Sequence, residues 1–543
     1  MNIAYRIQEV SKKIPDKKSV VLARDKSFYT FREFEERSNQ FANRFVKLGI
    51  TPGMRTLLFV RPSLDFSVIT FALFKIGALP VLIDPGMGPR NLLKCVKQVR
   101  PGALVSVGLV HWIRRFKKDY FKDIEVKISL NRVGGSTHFL YEGLDDESKE
   151  FCPQDVKPHD LGAILFTSGG TGIPKGVLYT HGILNAQTDA LKEMFSLDET
   201  KVDLPGFPLF ALFTLAMGMT SVIPEMNPAK PSQCDPKKMV KNILDHKVTF
   251  VAGSPAIWER VGNYCIKNNI RLPSVNHVVM FGAPVRASLH ETFQKILPLG
   301  DTFTPYGATE CLPVTLVSGS EVLKDHLPFM LSGKGTCIGR SVPGVRIKII
   351  KVSDIPEGEI QEVPLGEVGE IAVQGLQVTP GYFEMEEETK KAKIIHEGEL
   401  WHRMGDLGWM DERGNVWFLG RKVHRVHSSE EVFYPLQMEA IFNQHPEVKK
   451  SALIKLMVLD KTYPAMVIER KDKKTRMTET FQNELLNLKN SQPFTKKIHS
   501  IFLHQSLPVD VRHNIKIDRT KLSFWAQDHF EKQSGDLWKR KRL

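Results

Sequence analysis

Residues 166–177 read FTSGGTGIPKGV and directly follow the apolar stretch 161–166. Glycines in such a run let backbone N–H groups approach phosphate oxygens closely, and Lys175 adds a positive charge. Hydroxyl donors come from three further side chains: Thr167, Ser168 and Thr171. An ordinary P-loop needs Gly-Lys followed by Ser or Thr, and this run lacks that order. Glycine-rich turns that bind nothing also occur by chance. The stretch therefore predicts a polyphosphate-binding loop of another kind.

Further motifs follow in a fixed order: Gly282-Ala283-Pro284, Tyr306-Gly307-Ala308-Thr309-Glu310, Gly405-Asp406 and Gly420-Arg421. Each motif alone is weak evidence for a binding site. A Gly-Asp pair, for example, is more often part of a turn than of a ligand site. Together with residues 166–177 they resemble the ordered signature of the AMP-forming adenylating superfamily. This superfamily includes acyl-CoA synthetases, luciferases and peptide-synthetase adenylation domains. The resemblance implies ATP and Mg²⁺ as cofactors.

The resemblance also implies a role for individual side chains. Tyr306 stacks on adenine, Asp406 accepts hydrogen bonds from the ribose, and Thr309 meets the α-phosphate. Glu310 holds Mg²⁺, a cation that prefers hard oxygen ligands, and Thr167 is a further candidate ligand. The implied nucleotide site comprises Thr167, Ser168, Gly169, Gly170, Thr171, Gly172, Lys175, Gly282, Ala283, Pro284, Tyr306, Gly307, Asp406 and Arg421.

A candidate catalytic lysine lies near the end of the chain. Lys516 stands in a Lys-Ile-x-Arg frame that resembles the catalytic lysine motif of the superfamily. The frame departs from the family because no glycine precedes Lys516 and the interval from Leu507-Pro508 is longer. Position alone favours an exposed, solvated lysine, so the assignment depends on the motif.

Short β-branched runs alternate with helical patterns, as in parallel α/β sheets. Helices are predicted at 30–48, 64–76 and 435–443, and strands at 55–60, 79–83, 103–107, 163–166, 248–252, 278–281, 344–350, 369–373, 451–459 and 498–503. From residue 339 the short strands and Gly/Pro turns predict a β subdomain. The fold class is therefore α/β: a large N-terminal adenylate-forming domain (1–419) of mixed parallel sheets with helices and a β subdomain, a hinge (420–424) and a small mobile α+β lid (425–543).

Composition and charge are those of a globular enzyme. A chain of 543 residues is longer than one ordinary domain, so more than one domain is expected. The net charge of +14 suits anionic small molecules or lipid headgroups as partners, although the basic residues are spread along the chain. Six scattered cysteines without metal-site spacing predict reduced thiols. No signal peptide or apolar run of membrane-spanning length is visible. We expect a cytoplasmic protein, at most peripheral to a membrane, with no nucleic-acid partner.

The hinge region departs from the acyl-CoA synthetases. The family reads Gly-Arg-x-Lys-Asp at the hinge and has a glycine about ten residues after the first, beside the channel for the thiol. Here His424 replaces the aspartate and Glu430 replaces the second glycine. A bulky anion beside that channel argues against thioester formation.

Other strings resemble one branch, the olefin β-lactone synthetases, over nearly the whole chain. They include Ile83-Asp84-Pro85-Gly86-Met87-Gly88, residues 207–213 (FPLFALF) and residues 510–514 (DVRHN). The resemblance implies ATP-dependent closure of a long-chain 2-alkyl-3-hydroxy (β-hydroxy) acid to a β-lactone, with a condensing enzyme before it and a β-lactone decarboxylase after it. The alternatives are a long-chain fatty acyl-CoA synthetase, a fatty acyl-AMP ligase, or an inactive nucleotide-binding scaffold.

Two groups of side chains have open assignments. His181, His424 and His427 are candidate general bases by side-chain type alone. The segment 207–219 lies where the family places its acyl pocket, which makes Phe207, Phe210 and Phe213 candidate pocket residues, and plain core packing explains them equally well.

Overall fold

The computed structural model describes residues 1–133, 137–167, 174–354, 359–429, 431–473, 476–509 and 517–540. The helices are α1 (Ala4–Lys13), α2 (Phe31–Lys47), α3 (Leu64–Ile76), α4 (Pro89–Val99), α5 (Gly108–Phe116), α6 (His181–Phe195), α7 (Phe210–Ala216), α8 (Pro236–Asp245), α9 (Pro255–Lys267), α10 (Ala287–Ile296), α11 (Gly319–Glu321), α12 (Leu327–Leu331), α13 (Glu386–Ala392), α14 (Pro435–Phe442), α15 (Glu479–Asn490) and α16 (Arg519–Arg540).

The strands are β1 (Lys18–Leu22), β2 (Phe28–Thr30), β3 (Arg55–Phe59), β4 (Leu79–Ile83), β5 (Ala103–Ser106), β6 (Val126–Ser129), β7 (His138–Phe139), β8 (Leu161–Thr167), β9 (Lys175–Thr180), β10 (Val202–Pro205), β11 (Thr220–Ile223), β12 (Phe250–Gly253), β13 (His277–Met280), β14 (Asp301–Ala308), β15 (Cys311–Ser318), β16 (Thr336–Ser341), β17 (Val345–Ile350), β18 (Gly369–Gly375), β19 (Lys393–His396), β20 (Glu399–Met410), β21 (Val416–Arg421), β22 (Val426–His427), β23 (Val432–Phe433), β24 (Val448–Val458), β25 (Lys461–Arg470) and β26 (Ser500–Leu503). The predicted α/β class is confirmed.

The first sheet has the order β7-β6-β5-β3-β4-β8-β9. Its strands are parallel except for β9, which forms an antiparallel pair with β8. Helix α3 is buried from Phe66 to Ile76. Lys75 within it is fully buried and is neutralised by Glu35 of α2 at 2.8 Å. This pairing explains how a lysine can interrupt an apolar core helix.

The second sheet has the order β17-β18-β20-β21-β16-β15-β14-β13-β12-β10-β11-β1-β2, with β19 beside β20. Strands β1 and β10–β14 form its parallel half, and β15–β21 are antiparallel. The predicted β subdomain is thus continuous with the parallel sheet through β16. At the join, a Cβ on Gly339 would collide with the carbonyl oxygen of Leu316, so the two strands approach closely only because this residue is glycine.

The C-terminal part has its own small core. Strands β24, β25 and β26 form a three-stranded sheet, and α14 and α15 contribute to a buried cluster that includes Met438, Phe442, Met466 and Phe481. The division at 420–424 and the mobility of this lid stay predictions.

Two further expectations concern thiols and membranes. None of the six cysteines is disulfide-bonded in the structure, and Cys152 is the exposed one. Within the described ranges, no helix combines the length and apolar character needed to cross a bilayer.

Candidate active site

One large cavity, of about 2920 Å³, brings most of the predicted site residues together. It is lined by Thr167, Lys175, Phe207, Phe210, Gly282, Ala283, Pro284, Tyr306, Gly307, Thr309, Glu310 and Arg421. Ser168, Gly169, Gly170, Thr171, Gly172 and Lys516 lie outside the described residues, as does Glu430. The cavity nevertheless reaches Thr167 and Lys175, on either side of residues 168–173, and Val509 and Ile517, on either side of residues 510–516.

The two ends of the 166–177 run are held opposite each other by a strand pair. Thr167 at the end of β8 lies directly across from Lys175 at the start of β9. Lys175 Nζ donates to Glu388 Oε2 of α13 at 2.7 Å, and it lies 4.7 Å from the ring centroid of Tyr382. The loop lysine therefore faces the cavity with an anion already beside it.

The Tyr306–Glu310 motif covers the end of β14 and the two-residue turn, Thr309-Glu310, that leads into β15. A Cβ on Gly307 would lie 2.7 Å from the carbonyl oxygen of Cys311, so the tight turn requires glycine. Glu310 Oε1 accepts a hydrogen bond of 2.7 Å from the Tyr382 hydroxyl. Its carbonyl oxygen accepts from the backbone N–H of Thr379 at 2.9 Å. The carboxylate is thus oriented within the cavity, as a metal-binding side chain requires.

Asp406 is buried beside the nucleotide motif. Its Oδ2 accepts from the Tyr306 hydroxyl at 2.6 Å and its Oδ1 from Arg421 Nη1 at 2.7 Å. The Asp406 carboxylate raises the pKa of Arg421 and keeps the guanidinium charged. The Tyr306 ring packs near Phe418, with 6.0 Å between ring centroids. The ribose and adenine contacts of Asp406 and Tyr306 stay predictions.

Sequence reasoning missed four side chains of this site: Thr379, Tyr382, Glu388 and Lys393. Burial lowers the pKa of Lys393 to about 8, and the negative charge of Glu310 opposes that shift. Lys393 Nζ donates to Thr379 Oγ1 at 3.4 Å. Motif reasoning offered no signal for these residues, because each acts through a partner far away in the sequence.

The three candidate bases occupy different environments. His181 is buried near the N-terminus, where its Nδ1 accepts from the backbone N–H of Ile3 at 3.3 Å, and it does not line the cavity. His427 is exposed and pairs with Arg425. His424 lines the cavity, and burial, followed by the positive charges of Arg519 and Arg421, lowers its pKa to about 4. Of the three, only His424 combines access to the cavity with a neutral ring at pH 7.

The predicted acyl-pocket phenylalanines form a row. Ring centroids are 6.1 Å apart for Phe207 and Phe210 and 6.2 Å apart for Phe210 and Phe213. Phe207 lines the large cavity, Phe213 lines a small apolar cavity of about 40 Å³, and Phe210 lines both. The acyl-pocket interpretation therefore suits Phe207 and Phe210 better than Phe213.

Comparison with known proteins gives three results. The profile of a family described as "AMP-binding enzyme" matches residues 7–383. An olefin beta-lactone synthetase of Stenotrophomonas maltophilia is 35% identical over 98% of this chain and 99% of its own, and one of Xanthomonas campestris is 37% identical over 92% and 90%. The ATP-bound structure of MatB from Rhodopseudomonas palustris is 21% identical, with a TM-score of 0.77 over 98% of this chain and 100% of its own. That likeness concerns the fold.

Proposed function

The chain belongs to the AMP-binding enzyme family, and from this membership we propose that it converts a long-chain 2-alkyl-3-hydroxy fatty acid to a β-lactone. The reaction uses ATP and releases AMP and pyrophosphate. The observation that carries the proposal is the similarity to two olefin beta-lactone synthetases along nearly the whole chain. The six free thiols suit the cytoplasmic setting that this reaction implies.

In the first step, a substrate carboxylate oxygen attacks the α-phosphorus of ATP, and the bond to pyrophosphate breaks. Because two anions must meet, the protein's main contribution is electrostatic. Lys175 would neutralise phosphate charge at the loop, and Lys516 would bridge the carboxylate and the α-phosphate. Both lysines serve to lower the repulsion between the reactants.

Of the acidic side chains that line the cavity, Glu310 is our candidate ligand for a magnesium ion. Its oriented carboxylate lies in the cavity, and hard oxygen donors of this kind suit Mg²⁺. Among the described residues, no three His, Cys, Asp or Glu side chains form a metal-binding group, so substrate phosphates and water would supply most of the ligands. Bound there, Mg²⁺ would supply charge neutralisation on the phosphates.

In the second step, the β-hydroxyl oxygen of the same substrate attacks the acyl carbonyl carbon. The carbon–oxygen bond to AMP breaks, the ring closes, and the hydroxyl proton passes to a base. His424 is our candidate, because it alone of the three candidate histidines lines the cavity, and a neutral imidazole there would accept the proton. Holding nucleophile and acyl carbon in one molecule favours this attack over that of an external thiol.

The cavity also offers apolar surface. Its lining includes Phe207 and Phe210 and, from another part of the chain, Val107, Val110 and Phe121. A large cavity with this much apolar lining suits a substrate that carries two alkyl chains on adjacent carbons. The condensing enzyme that would supply this acid and the decarboxylase that would consume the lactone complete the proposal as partner activities.

The test omits coenzyme A. Purified protein is incubated with ATP, Mg²⁺ and a 2-alkyl-3-hydroxy acid, and the products are followed by NMR and by AMP release. We expect stoichiometric β-lactone and AMP from the wild type and neither from Glu310→Gln. AMP that appears only with a plain fatty acid and coenzyme A would overturn the proposal in favour of an acyl-CoA synthetase.

His424 needs its own measurement. His424→Gln should still release pyrophosphate in the first step but should form lactone at least about a hundredfold more slowly, since general bases contribute this much or more. His427→Gln is the matched control, because that ring lies outside the cavity lining. Equal lactone rates for the two variants would remove His424 from the second step.

A further inference from the structure

Helix α5 (Gly108–Phe116) shows an apolar face to solvent. Leu109 is 61% exposed, Trp112 57%, Ile113 39% and Phe116 67%, and their spacing places them on one face of the helix. His111, a polar residue, is the buried one, and its Nε2 lies 2.9 Å from the carbonyl oxygen of Ile128. A surface helix normally turns its apolar stripe inward, so the arrangement on α5 is the reverse of the usual one.

The rings on this face lie together. The Trp112 and Phe116 ring centroids are 4.7 Å apart, so the two largest exposed side chains form one contiguous patch. Clustered exposed apolar groups of this kind mark interaction sites, whereas scattered single ones need no explanation. We call the surface formed by Leu109, Trp112, Ile113 and Phe116 the α5 patch.

Basic residues lie beside the α5 patch in the sequence. Residues 114–123 contain five basic side chains (Arg114, Arg115, Lys117, Lys118 and Lys122) and two acidic ones (Asp119 and Asp123). Lys117, Lys118 and Lys122 are exposed. The combination of an exposed Trp/Phe face with adjoining lysines and arginines is that of helices that lie in an anionic membrane interface.

The α5 patch adjoins the cavity of the active site. Val110 and Ile113 of the same helix line that cavity, together with Val107, Lys117 and Phe121. Ile113 therefore belongs to both surfaces. An alkyl chain leaving a bilayer at α5 would stay in contact with apolar side chains as it enters the cavity.

We propose that α5 is a membrane-docking helix, which seats the mouth of the acyl cavity on the anionic surface of a lipid bilayer. The supply of a long-chain acid by this route rests on the proposed function, whereas docking itself does not. A bilayer fits the patch better than a second protein does, because four side chains on one short helix are far fewer than the roughly 20–30 residues per side of a standard protein interface.

Binding is measured by co-sedimentation of the full-length protein with vesicles, without ATP or acid. One vesicle type is phosphatidylcholine and the other is an equal mixture of phosphatidylcholine and phosphatidylglycerol. We expect wild-type protein to bind the mixed vesicles and to dissociate as salt is raised. Trp112→Ser/Phe116→Ser should lower the partition coefficient on the order of tenfold or more, since two exposed aromatic rings lose their contact with the interface.

Matched variants separate the contributions of apolar surface and charge. Lys118→Glu/Lys122→Glu should lose binding to the mixed vesicles by roughly tenfold or more. Leu299→Ser/Phe524→Ser removes side chains that are 82% and 74% exposed elsewhere, and it should bind as the wild type does. Vesicles with brominated lipid should quench part of the wild-type tryptophan fluorescence, and Trp112→Phe should lose that part while still binding.

Three results would overturn the proposal. They are wild-type protein that stays in the supernatant with both vesicle types, equal binding by the α5 and control variants, and a wild-type dimer in light scattering that Trp112→Ser/Phe116→Ser converts to monomer. The last would assign the patch to a second copy of the chain. The proposed function is tested separately, by lactone formation from acid dissolved in detergent. Trp112→Ser/Phe116→Ser should retain this activity.

Discussion

The hydroxyl of Tyr382 donates a 2.7 Å hydrogen bond to Glu310 Oε1, and the ring of the same tyrosine lies 4.7 Å from Lys175 Nζ. One side chain therefore touches both the candidate magnesium ligand and the candidate phosphate lysine. It comes from a segment 72 residues after Glu310. This contact makes the orientation of the carboxylate depend on the segment that follows β18.

Removing the Tyr382 hydroxyl should lower the affinity of the site for Mg²⁺. Partners that orient a metal-binding carboxylate are typically worth about 10–100-fold in metal affinity or activity. We expect Tyr382→Phe to raise the Mg²⁺ concentration for half-maximal pyrophosphate release by at least about tenfold, with recovery at high Mg²⁺. An unchanged Mg²⁺ titration with reduced maximal rate would instead indicate a packing role.

The ion pair between Lys175 and Glu388 should compete with ATP. Its side chains are 14% and 29% exposed, and partly exposed pairs of this kind are worth up to about 1 kcal/mol. Since a polyphosphate must replace the carboxylate beside Lys175, Glu388→Gln should lower the Kd for ATP by about two- to fivefold. Calorimetric titration measures this, with Glu387→Gln as control because Glu387 pairs with Lys390. Weaker ATP binding by Glu388→Gln would contradict the prediction.

Lys516 should be needed for chemistry more than for binding. Lys516→Ala should reduce adenylate formation by a hundredfold or more, in line with the loss of a group that stabilises transition-state charge. ATP binding should be largely intact, because Lys175 and the nucleotide motifs remain. Pyrophosphate release at the wild-type rate would exclude Lys516 from the first step.

Between about pH 4 and pH 6.5, His290 is neutral in the folded protein and protonated in the unfolded chain. The free energy of unfolding should therefore rise with pH in this range. Burial lowers its pKa from 6.5 to about 4, with Asp301 opposing, and its Nδ1 lies 2.7 Å from Thr302 Oγ1. Between these two pH values the unfolded chain binds one more proton than the folded one. The contribution of His290 is therefore fully present above pH 6.5 and is lost as the pH falls toward 4.

The measurement is urea unfolding as a function of pH in this window. His290→Asn should reduce the slope of unfolding free energy against pH by up to about 1.4 kcal/mol per pH unit. A difference between the two proteins that does not change with pH would show that His290 is not the titrating group.

Local patterns accounted for much of the fold. The predicted helix at 64–76 is α3, and the predicted strands at 55–60 and 79–83 are β3 and β4 to within a residue at each end. These segments are decided by neighbouring residues, through apolar runs and flanking turn residues. The continuity of the β subdomain with the parallel sheet was not predictable in this way, because it depends on the close approach of β15 and β16 at Gly339.

The identity and order of the motif residues can be read along the chain, and they were enough to predict an adenylate-forming enzyme. The tertiary structure then selected the other side chains that join them. It set Tyr382 against Glu310, brought His424 but neither His181 nor His427 to the cavity, and turned the apolar face of α5 outward. Motif residues are close in the sequence, whereas these contacts join distant segments and depend on which strand ends and helix faces the sheets bring to the same cavity.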